Sequence, residues 1–151
     1  MRASLARLEP TNHMGQVNTH IKVANGFDLE RVALGERTEP PRSVEAEALV
    51  HTGAVLFYLK SSLIKHLGLR PTRKVLSRTI ANVSVERTVY SPVDLEIMGR
   101  SGTFEVVELP DSLPNIVGQI PLGQLDWVVD PKNRRLIPNP EHKHGELCDD
   151  F

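Results

Sequence analysis

The chain has 151 residues, which suits one domain with a modest core. Its 18 Lys and Arg nearly balance 19 Asp and Glu, a formal net charge of −1, so no charge excess points to nucleic acid or an anionic membrane as partner. Cys148 is the only cysteine, which excludes an internal disulfide, and no apolar run nears the roughly 20 residues that span a bilayer.

Residues 1–13 read as a disordered leader with no apolar stretch fit for a signal peptide, so the expected location is cytoplasmic. Met14-Gly15-Gln16-Val17-Asn18-Thr19 fits a myristoylation pattern if Met14 is the start; the plainer reading is the approach to a strand. Val17, Thr19, Ile21 and Val23 alternate as a half-buried strand does, and Asn25-Gly26 is a hairpin-turn dipeptide. Residues 35–42 are a polar loop. Val44, Ala46, Ala48 and Val50 alternate into a turn at His51, and residues 55–59 are a short apolar strand. Ser61 can cap a short helix that runs through Leu67 and ends at Gly68.

Residues 74–80 and 84–90 read as the two arms of a hairpin around Ala81-Asn82-Val83. Val93, Leu95 and Ile97 form another strand, residues 99–102 a turn, and Phe104, Val106 and Val107 begin the next strand. Residues 111–114 are a loop before the apolar Ile116-Val117-Gly118, and Pro121 opens a second short helix bearing Leu122 and Leu125. Residues 127–129 and 135–137 are strands around a turn at Asp130-Pro131. With 11 prolines and frequent turns, residues 14–138 make one mostly-β domain, a small barrel or sandwich, and residues 139–151 a flexible tail.

Three blocks carry chemistry. The first is Leu49-Val50-His51-Thr52-Gly53-Ala54, two apolar residues running into a turn. The second is the hairpin with tip Ala81-Asn82-Val83-Ser84; the third is Asn115-Ile116-Val117-Gly118 followed by the helix at Leu122 to Leu125. In type, order and spacing they resemble the retropepsin-like (retroviral-type) aspartic proteases. There the first block reads apolar-apolar-Asp-Thr/Ser-Gly-Ala, the second is the flap, and the third is apolar-apolar-Gly before a helix. The resemblance covers roughly residues 43–138. It implies an acid-protease β barrel with one or two short helices and a homodimer in which two copies of the turn meet on a two-fold axis. It further implies an extended peptide or protein substrate and no cofactor.

The chain departs from that pattern at one decisive place: His51 occupies the catalytic aspartate position. In the family, two carboxylates share a proton, one acting as base on a trapped water and the other as acid toward the substrate carbonyl. Two imidazoles facing each other would keep at least one neutral, because adjacent cations repel. They also lack the shared negative charge that holds the water. General acid–base assistance is worth about 10² to 10⁴ in rate, and here the water loses its anchor as well, so very low or no peptidase activity is expected. Thr52, whose family counterpart hydrogen-bonds across the axis, and Gly53, which lets the backbone approach, are intact; Ala54 and the tip residues Ala81, Asn82, Val83 and Ser84 would contact a peptide.

Two alternatives stand beside this reading. In one, the domain is an active aspartic endopeptidase despite His51; in the other, it is a structural dimer module without a working groove. A His51 pair offers too few ligands for a stable zinc site, and His142-x-His144-x-x-x-Cys148 has ligand-like spacing in a polar tail, so no metal is expected. His20 and His66 read as surface residues. Asp94, Asp126 and Asp130 read as turn or strand-face carboxylates, none in a second Thr-Gly setting.

Overall fold

The computed structural model describes residues 16–78 and 81–142. The order along the chain is β1 (Val17–Asn25), α1 (Gly26–Ala33), β2 (Ser43–Val50), β3 (Phe57–Lys60), α2 (Ser61–Leu67) and β4 (Pro71–Arg78). There follow β5 (Ser84–Ile97), β6 (Arg100–Leu109), β7 (Asn115–Val117), α3 (Gln119–Leu125), β8 (Trp127–Asp130) and β9 (Arg135–Pro138).

The fold is mostly β, and six strands close into a barrel. They run β1-β2-β7-β3-β6-β5, and β5 returns to pair with β1, Val23 lying opposite Leu95. Closure removes the edges of this sheet except where β4 extends beyond the ring, and β8 and β9 pair as a separate two-stranded sheet. The period-2 pattern explains the core. Val17, Ile21 and Val23 of β1 are buried while His20 and Lys22 face out, and Val93, Leu95 and Ile97 of β5 are fully enclosed. Phe57, Leu59, Val106 and Val117 fill the same interior, each such side chain contributing roughly 1.5–3 kcal/mol by leaving water. Helices α2 and α3 seal it with Ile64, Leu67, Leu122 and Leu125.

Several local expectations are corrected. The described residues contain three short helices, not one or two. Asn25-Gly26 is no hairpin turn: Asn25 has an extended backbone, and its side-chain oxygen accepts from the Asp28 N–H, capping α1. Ser61 does not cap α2; Lys60 holds that position without a side-chain bond, and the Ser61 hydroxyl donates to Glu108 at 2.6 Å. Pro121 is the third helical residue of α3 rather than its first. The segments expected as separate strands at 84–90 and 93–97 are one strand, β5, whose register shifts between Tyr90 and Val93. Pro92 sits in that irregularity, where a missing N–H costs no ladder bond. The turn expected at 99–102 is tighter: Met98 and Gly99 carry the positive φ, and β6 begins at Arg100.

The tail is tied down at its start. Asp126 ends α3 in a left-handed conformation, and its carboxylate accepts from Asn139 at 3.1 Å and meets His142 Nδ1 at 2.6 Å. Burial opposes ionisation of Asp126, yet the His142 and Asn139 hydrogen bonds outweigh it and hold the carboxyl below its ordinary range. The leader with its Met14 pattern, and His144 and Cys148, lie outside the described residues.

Candidate functional site: the turn after β2

Strand β2 delivers Val50 into the core and the next four residues into a tight turn. The Ala54 N–H donates to the His51 carbonyl at 3.0 Å, closing a β-turn over 51–54. His51, Thr52 and Gly53 are exposed and Ala54 half-buried. The imidazole lies back over Gly53, where an added Cβ would come within 2.9 Å of His51 Cε1.

The turn is held by a segment more than sixty residues away in sequence. Strand β7 enters between β2 and β3, parallel to the first and antiparallel to the second. Asn115 starts it, buried, with its amide donating to the Glu47 carbonyl and its oxygen accepting from the Lys60 N–H. One side chain thus bridges the strands on either side. The His51 N–H donates to the Val117 carbonyl at 3.0 Å. Beyond Gly118, the backbone N–H groups of Gly118, Gln119 and Ile120 donate to the carbonyls of Leu56, Ala54 and Val55, each at 2.9 Å. The Gln119 side chain adds a bond to the Thr52 carbonyl at 2.6 Å. The start of α3 therefore spends its orphan donors on the turn, so helix and turn fix each other.

The hairpin of β4 and β5 stands on the other side of β1 from β2 in the barrel order. Ala81, Asn82, Val83 and Ser84 are all exposed. Asn82 takes positive φ, 64°, which asparagine tolerates, and its side-chain oxygen accepts from Arg78 Nη1 at 2.7 Å. Residues 79 and 80, in the expected first arm, lie outside the described residues.

Beside the turn, two large apolar side chains face out: Val55 is 51% and Ile120 50% exposed, and the backbone bond just described joins them. A depression of about 410 Å³ opens elsewhere, lined by Ala46, Leu49, Lys60, Leu63 and Asn115 among others, and does not include the turn.

His20, His66, Asp94 and Asp130 lie on other elements. His20, exposed on β1, lies 2.9 Å from Glu45 and 3.2 Å from Glu47, and those hydrogen bonds raise its pKa. His66 is exposed in the last turn of α2. Asp94 pairs across from Ala24, and burial, then Glu96, push its carboxyl up. Asp130 accepts from Asn133 at the β8–β9 turn, which lowers its pKa.

The sequence reading missed three parts of this site. Gln119 and Ile120 follow the recognised glycine directly, and their adjacency was the available signal. Asn115 opens the third sequence block with no role of its own assigned there; a polar residue opening an apolar block is a sign of a buried bridging amide. No family model matches the chain, and no curated protein matches it.

Proposed function

We propose that this chain is a retropepsin-like aspartic-peptidase domain that pairs as a homodimer through the 51–54 turn, is catalytically impaired by His51, and retains the capacity to hold an extended peptide. The observation that supports it most is the junction of two distant blocks. The turn and the Ile116-Val117-Gly118 segment, which carry the resemblance separately in sequence, are hydrogen-bonded into one unit. In the family the chain resembles, a chain with one such turn completes its site with the same turn of a second copy. Val55 and Ile120, half-exposed beside it, are apolar surface that a second subunit would cover.

Chemically, each subunit would bring one imidazole where the family brings one carboxylate. Thr52 and Gly53 keep the turn's residues, while the charge that would anchor a water is absent. Peptide held as an added strand needs backbone groups and pockets, not an aspartate. The protein is thus proposed to bind extended segments in the cytoplasm and to cleave them very slowly or not at all.

Cleavage of a denatured protein at mildly acidic pH, by the parent and by His51→Asp, tests the assignment. The proposal expects cleavage by the variant and none by the parent, with a rate ratio above about 10². Inactivity of both would remove the support for a peptidase-derived groove.

A further inference from the structure

The hairpin has a second surface that the turn does not use. Strand β4 ends the sheet order, so its outer edge pairs with no strand among the described residues. Along that strand Lys74, Leu76 and Arg78 share one face, spaced by about 7 Å as every second residue is. Leu76 is 76% exposed, more than any other large apolar side chain among the described residues.

The charge on this stripe is poorly compensated. Lys74 lies 3.7 Å from Glu86, but both are 62% exposed, where such pairs are worth little. Arg78 is oriented by a neutral partner, the Asn82 side-chain oxygen, which leaves its charge intact. On the other face Arg73 pairs with Glu105 at 2.7 Å, again half-exposed, and Arg87 stands opposite Val75. A basic hairpin thus sits in a chain whose overall charge is −1.

Cations on an open edge protect it from pairing with a second copy of itself, because like charges would face each other. The same charges attract a strand of opposite sign. Alternation of cation, apolar side chain and cation fits the side-chain period of an extended peptide better than a continuous row of phosphates. We propose that the outer edge of β4 accepts an extended acidic peptide as an added strand, with carboxylates against Lys74 and Arg78 and an apolar side chain against Leu76. This does not depend on His51 or on peptidase ancestry.

The test is fluorescence anisotropy with the labelled peptide Thr-Glu-Thr-Val-Thr-Glu-Thr and its counterpart carrying Lys for Glu, at low salt. The acidic peptide should bind at least about tenfold tighter than the basic one. The exposed double variant Lys74→Glu/Arg78→Glu should weaken it by about tenfold or more, and Leu76→Ser by about threefold to fivefold. Circular dichroism checks that each variant is folded, and backbone amide shifts should concentrate at residues 73–78. The proposal is overturned by absence of binding, by equal affinity for both peptides, by affinity unchanged in the double variant, or by amide shifts confined elsewhere. Tighter binding of a single-stranded oligonucleotide of equal charge, or self-association abolished by the same variants, would equally overturn it.

Discussion

At Gly118 a methyl group has nowhere to go: a Cβ would lie 2.5 Å from the Leu56 carbonyl oxygen and 2.7 Å from that of Ala54. Both are backbone atoms already engaged in holding the turn, so they cannot swing aside. Gly118→Ala is expected to destabilise the fold by on the order of 2–3 kcal/mol, read by denaturant unfolding. The need for glycine here was legible from its place after two apolar residues; the reason, close approach to the turn, was not. Asp28 is the opposite case. It is a buried carboxylate on α1, bonded by Arg42 Nε at 2.8 Å and Nη2 at 3.0 Å, with Arg37 at 3.6 Å. Nothing local in the sequence marks it, because Arg42 is fourteen residues away across a loop. The Arg42 hydrogen bonds hold its carboxyl down at about 2, against burial, which would raise it, and against an ordinary value of 3.8. A depressed folded pKa stabilises above the unfolded value and ceases to do so as pH falls through the folded one. Asp28→Asn should therefore cost about 2 kcal/mol at neutral pH. The gap between parent and variant should narrow as pH drops from 3.8 toward about 2.

Among the elements, α1 shows how a dipeptide can mislead. Asn-Gly is a strong hairpin signal when both residues take positive φ, but Asn25 has φ −63° and ψ 120°. Its side chain satisfies two backbone groups instead, accepting from the Asp28 N–H and donating to the Leu67 carbonyl at 2.8 Å. The second bond joins α1 to α2 across the core, a tertiary contact invisible to a local reading. Asn25→Ala should cost about 1–2 kcal/mol, with Asn25→Asp recovering the cap but not the bond to Leu67; thermal unfolding distinguishes them. The alternation of β1, β2 and β5 was legible because one face of each meets a single core. The continuity of β5 was not. Pro92 reads locally as a break, and only pairing with β1, β4 and β6 carries the strand through it.

For the molecule as a whole, many short alternating runs separated by turns point to a mostly-β domain, either barrel or sandwich, and the chain forms the barrel. The strand order did not follow from the same signals. Entry of β7 between β2 and β3 rests on a three-residue strand and one buried asparagine, both too short to announce themselves. That insertion ties the 51–54 turn to the start of α3 by hydrogen bonds and leaves Val55 and Ile120 facing out beside it. We propose that the surface covering them is a second copy of the chain. Sedimentation equilibrium of the parent beside Val55→Glu and Ile120→Glu measures this directly. The account predicts twice the chain mass for the parent and the single-chain mass for both variants, each still folded. A single-chain mass for the parent at high concentration, or a dimer indifferent to both substitutions, would contradict it.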